Sequence, residues 1–111
     1  MVSGIILATT SEIEGRPVRE YFGIVTGEAT MPSGPSPFTY EGTDRQPGTR
    51  QSGIEQQVRE TRDRALAGLV ARAAELGATA VIAVVIDYTS VSIAAGDELL
   101  VVAASGTAVL L

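Results

Sequence analysis

The segment TAVIAVVIDYT, Thr79 to Thr89, carries apolar residues at seven of its first eight positions. Side chains of a β-strand alternate between faces. One face then holds Ala80, Ile82, Val84, Ile86 and Tyr88, and the other holds Val81, Ala83 and Val85 before ending on Asp87. Both faces are greasy, and each needs a cover. Three further segments also read as extended. Gly4 to Ala8 is a short apolar run, and Val18 to Ala29 (VREYFGIVTGEA) is rich in β-branched and aromatic residues. Leu99 to Leu111 (LLVVAASGTAVLL) closes the chain after AAGDE, whose Gly96-Asp97 pair supplies turn chemistry for an antiparallel hairpin.

Between the second and third of these segments the period changes to 3.6. Ile54, Val58, Ala65, Leu69, Ala73 and Leu76 recur at three- and four-residue steps, with Thr61 in the one gap, which predicts an amphipathic helix. Ser52 and Glu55 have capping-box spacing, and Gly77 stands at the C′ position, so the helix is expected over 52–76. Glu55–Arg59 and Glu60–Arg64 are i,i+4 pairs of a solvated helix face. The order β-β-α-β-β predicts an α+β two-layer subunit, one helix packed on a mainly antiparallel sheet. Gly23 and Gly27 interrupt the second strand, which marks a twisted or bulged strand or, as the functional alternative, backbone brought close to a ligand.

Residues 30–51 break the pattern. Four of the five prolines and three glycines lie between Thr30 and Arg50, so a variable loop is expected there within a single domain, 1–111. One helix covers one sheet face. With about six apolar side chains left bare at ~1.5–3 kcal/mol each, the unused stabilisation is ~10 kcal/mol, the size of a whole domain's net stability. Contact with copies of the same chain is the expected remedy. The competing cover is the loop itself, whose large apolar groups are Met31, Phe38 and Tyr40.

Composition narrows the chemistry. The chain has a formal net charge of −5, no cysteine, no histidine and, among its eight basic residues, only arginine. That balance disfavours nucleic acid or an anionic membrane as partner. No run approaches a spanning helix and the N-terminus lacks a signal-peptide pattern, so a cytoplasmic protein is expected. Thiolate and imidazole metal sites are excluded by composition. Acid–base catalysis has only carboxylates to draw on, and the glycines form no phosphate-binding or dinucleotide motif, so no enzyme is expected. The carboxylates worth naming are Glu14, Glu20, Glu28 and Asp87. Oxygen ligands of this kind suit hard divalent cations, and Glu20, Glu28 and Asp87 form the candidate metal set. Alternation places Glu20 and Glu28 on one side of their strand unless a bulge at Gly23 intervenes.

Four ordered segments carry a resemblance. TTSEIEGRPVREY, GIVTGEA at Gly23–Ala29, ELGATAVIAVVIDY and SGTAV at Ser105–Val109 resemble the YbjQ-like family, which is labelled heavy-metal-binding and has no established activity. The resemblance covers most of the chain outside 30–51. It implies a β-β-α-β-β subunit of dodecin-like shape that assembles into a ring-like homopentamer. The departure is TMPSGPSPFTYEGTDRQPGTRQSG, which stands where the family has a longer, more hydrophobic and helical stretch followed by a Gly-Gly-Arg-Ser turn. Two functions follow. One is a homo-oligomeric scaffold or small-ligand module, whose flavin version is weakened by the absence of tryptophan; the other is a divalent-metal binder using carboxylate oxygens.

Overall fold

The structure, a computed structural model, describes residues 4–33, 47–94 and 96–111, with side chains of the helix described from Gly53 onward. It is an α+β fold. The strands are β1 (Ile6–Leu7), β2 (Glu20–Pro32), β3 (Ala80–Ala94) and β4 (Asp97–Leu110), and α1 (Pro47–Glu75) lies between β2 and β3. The sheet order is β1-β3-β4-β2, mixed because β1 runs parallel to β3 while the other pairs are antiparallel. The β3–β4 hairpin forms where expected, with Ala94 paired to Asp97 and Gly96 at φ 81° in the turn; Asp97 itself already belongs to the strand.

The helix begins five residues upstream of the capping box. Pro47 takes the first position, which suits a residue with no N–H to satisfy and a preset φ. Ser52 is therefore inside the helix, not its cap. The C-terminus follows expectation: Gly77 has φ 83°, Ala78 N–H donates to the Ala73 carbonyl at 3.1 Å and Gly77 N–H to the Ala74 carbonyl at 3.0 Å. These are the two bonds of a Schellman motif. Thr61, the gap in the apolar stripe, is buried because its hydroxyl donates back to the Gln57 carbonyl at 2.8 Å. The expected Glu60–Arg64 pair does not form; Arg64 donates to the Thr30 carbonyl instead, and Glu60 accepts from Gln56. Nor does Glu55–Arg59 form: the ion pairs among the described residues are Arg62–Asp63 and Arg72–Glu28.

The two-face alternation of β3 fails at Ala83. Ile82 pairs with Thr107 but Val85 pairs with Ser105, so β3 carries one extra residue at this point. Ala83 takes φ 55°, and the N–H groups freed from the ladder donate sideways, Ala83 to the Thr10 carbonyl and Val84 to the Ala8 carbonyl. The bulge resets the alternation. Val81 and Val84 both join the helix-side core with Leu69, Ala73, Ala104 and Ala108, while Val85 turns out to the far face and is 54% exposed.

Part of the far face finds a cover among the described residues. Ala80, Ile82 and Val109 are buried beneath Ile6, Ile13, Val18 and Leu111, so residues 6–18 and the C-terminus roof one end of it. Met31, assigned to the loop, is a buried residue of β2. Phe38 and Tyr40 lie outside the described residues. Among the described residues nothing covers the remainder of that face.

Candidate functional site

Cross-strand partners share a face of the sheet, which places the named carboxylates. Glu28 and Asp87 both pair with Ala103, one from each side, on the far face. Two strand spacings put their Cα atoms about 10 Å apart, with only a methyl group between them. The rows on either side supply hydroxyls: Thr26 and Ser105 in one, Thr30 and Thr89 in the other. Glu28 also faces Arg72 at 3.6 Å, and the same guanidinium donates to the Thr26 carbonyl at 2.6 Å.

Glu20 is elsewhere. A bulge between Tyr21 and Gly23, with Gly23 at φ 107°, reverses the alternation, so Glu20 pairs with Leu110 on the helix side of the sheet. It is seven β4 positions from Ala103, about 24 Å. Glu14 lies exposed in the segment before β2. The structure thus brings together Glu28 and Asp87 and leaves Glu20 apart. Among the described residues no three Asp, Glu, His or Cys side chains converge on a point that could hold a metal ion.

The open part of the far face is apolar around this polar centre. Ile24, on β2 in the row of Thr107, is 80% exposed, Val85, across β4 in the row of Ser105, is 54% exposed, and Val91 and Ile93 are about half exposed toward the hairpin tip, with Leu99 and Val101 half-buried between. On the other side of the molecule the helix leaves a second apolar surface. Leu66, Ala67, Val70, Ala71 and Ala74 form with Ile5 an open groove of about 540 Å³, in which Asp63 is the charged group. Sequence periodicity assigns only the stripe through Ala65, Leu69 and Ala73 to the interior. The groove residues follow the same 3.6 period, displaced round the helix, and that second stripe was the available signal.

The helix sits close over β2 because of Gly27. A Cβ there would overlap the Ala65 carbonyl oxygen and the Leu69 nitrogen, while Gly68 faces it from the helix. The bulge expected of the glycine-punctuated segment lies at Gly23, whereas at Gly27 what comes close is the backbone of the helix and not a ligand.

The model of the YbjQ family, described as "Putative heavy-metal-binding", matches residues 5–111. The chain belongs to the YbjQ family. Its fold is similar to the crystal structure of a protein of unknown function from the DUF74 family of Pediococcus pentosaceus, with TM-score 0.63 and 16% identity over 98% of this chain and 99% of that one. The family description meets a donor set that does not suit it. Soft heavy metals take thiolate or imidazole ligands, and the chain has neither cysteine nor histidine. No helix among the described residues is long and apolar enough to cross a membrane.

Proposed function

We propose that this YbjQ-family chain is a homo-oligomeric binding or scaffold module of the cytoplasm, and not an enzyme. One observation carries the reading: apolar surface is exposed on both sides of a two-layer subunit, at Ile24, Val85, Val91 and Ile93 on the sheet and at the helix groove. Burying the exposed parts of those four sheet residues alone is worth about 5 kcal/mol per subunit. The resemblance that implies a ring-like homopentamer agrees with this reading. Acid–base catalysis lacks histidine, cysteine and lysine, and the described carboxylates that come together are a single separated pair. Native mass spectrometry is the test: assemblies at an integral multiple of 11.5 kDa are expected. A monomer across the micromolar range would overturn the proposal.

A second reading is favoured by the Glu28–Ala103–Asp87 row, which offers oxygen donors to a hard divalent cation. Two carboxylates supply at most four oxygens to cations that take six or more, so such a site needs further ligands from water or from a neighbouring subunit. Calorimetric titration with Ca²⁺, Mg²⁺ and Mn²⁺ is expected to show binding that Asp87→Asn abolishes. No heat with any of them removes the metal reading and leaves the scaffold reading standing.

A further inference from the structure

The two outer edges of the sheet are treated differently. On β2, Arg72 donates to the Thr26 carbonyl and Arg64 to the Thr30 carbonyl, so guanidinium groups occupy the edge. On β3, β1 pairs with Ala80 and Val81, and the N–H groups of Ala83 and Val84 are taken up by the Thr10 and Ala8 carbonyls. From Ile86 to Ala94 no strand among the described residues lies along the outer edge. That segment, IDYTSVSIA, has no proline, glycine, lysine or arginine to discourage pairing. We infer that this edge pairs with the same edge of a second copy about a two-fold axis at Ser90, joining two four-stranded sheets into one. The inference rests on the homo-oligomer reading above and adds a contact that a cyclic ring does not contain.

The ladder registers fix which backbone groups are free. The Thr26 and Thr30 carbonyls point away from β4, so their partners Ser105 and Val101 turn their backbone groups toward β3, where they meet Val85 and Thr89. Bonding direction alternates along a strand. Ile86, Tyr88, Ser90 and Ser92 therefore aim N–H and C=O outward, and the last three of these residues are exposed. An antiparallel copy pairs outward groups with outward groups. With the axis at Ser90, Tyr88 meets Ser92 of the other copy, Ser90 meets Ser90 and Ser92 meets Tyr88, which forms about six backbone hydrogen bonds.

The edge matches itself in length. Ser90 lies midway between Ile86, just past the bulge, and Ala94, where the hairpin turns. Each hairpin end then lies beside Ile86 of the other copy, short of the lane that residues 8–10 already fill. Charge permits the contact. Asp87 is the one charged side chain of 86–94, and this register sets it against Ile93 of the other copy, with the two Asp87 residues about 20 Å apart. Val91 and Ile93, about half exposed, gain Thr89 and Asp87 of the other copy as cross-strand neighbours. A strand arriving at β2 instead must displace both guanidinium groups, which favours β3 with β3 over β3 with β2.

A chain without cysteine allows a direct test. Ser90→Cys sets two thiols at a hydrogen-bonded pair whose Cα atoms lie about 5.5 Å apart, inside disulfide range. Mild oxidation is expected to give a cross-linked dimer of twice 11.5 kDa on a non-reducing gel. Ser92→Cys, whose copies stand about 14 Å apart, is expected to run as a single chain. Native mass spectrometry of the wild type is expected to show an even number of copies, and Ser90→Pro, which removes the N–H at the axis, to halve it. No cross-link from Ser90→Cys, equal cross-linking of both cysteine variants, or an odd number of copies in the wild type overturns the two-fold contact and leaves the oligomer reading standing. So does slow hydrogen exchange at 86, 88 and 92 that persists in Ser90→Pro, because another segment of the same chain then covers the edge. A monomeric wild type overturns both. Circular dichroism verifies the fold of Ser90→Pro. If proline unfolds the chain, Ser90→Lys takes its place, setting two ammonium groups against each other at the axis, with the same halving expected.

Discussion

Two glycines meet where the helix crosses β2, and they are not equivalent. A methyl group on Gly27 would strike helix backbone, which cannot swing aside, whereas one on Gly68 would rest at 3.6 Å from the Gly27 Cα, an ordinary contact. Gly27→Ala is therefore expected to cost about 1–3 kcal/mol, as overpacked interiors do. Gly68→Ala gains helix propensity and is expected to be neutral or stabilising by up to about 1 kcal/mol. Thermal or denaturant unfolding of the two variants checks this, and equal losses would refute the account of the crossing. Ala83 makes the complementary case. Its φ of 55° is left-handed, and a β-branched residue there is costly. Ala83→Val is expected to lose about 1–2 kcal/mol, and Ala83→Gly to hold or raise stability; a Val variant as stable as wild type would mean that the bulge is not required.

At the scale of elements, hydrophobic periodicity gave the order of strands and helix, the hairpin and the helix C-terminus, because each rests on local chemistry. It missed what tertiary contacts decide. The helix start at Pro47 carries no apolar signal, and the Ser52–Glu55 spacing mimics a cap inside a longer helix. The extra residue at Ala83 is invisible in an unbroken apolar run, yet it moves Val84 and Val85 to faces that alternation does not give them in relation to Val81. The pairing of Glu28 and Asp87 through Ala103 depends on register, which neither strand specifies alone. Glu20 was separable in the sequence only through the Gly23 bulge. The arginines show the same limit. Arg64 and Arg72 stand two turns apart on the helix and donate to the Thr30 and Thr26 carbonyls, four residues apart on the outer edge of β2. They blunt an edge that would otherwise accept another strand. Arg64→Ala with Arg72→Ala is expected to lose about 1–2 kcal/mol in total, since both bonds are solvent-exposed, and to increase aggregation on heating. Unchanged light scattering through the melt would refute that protective role.

For the whole molecule the decisive fact is the thinness of the fold. One helix and one sheet enclose two apolar clusters between them, the N-terminal segment covers one end of the outer face, and among the described residues apolar surface remains on both sides. A domain whose net stability is about 5–15 kcal/mol gains much of that amount by covering such surface. This favours the scaffold reading over the metal reading, whose donors among the described residues are two carboxylates with no third beside them. Size-exclusion chromatography with light scattering on the wild-type chain addresses this claim most directly. A single species whose mass is several times 11.5 kDa is the predicted result, and a monodisperse 11.5 kDa particle would contradict it.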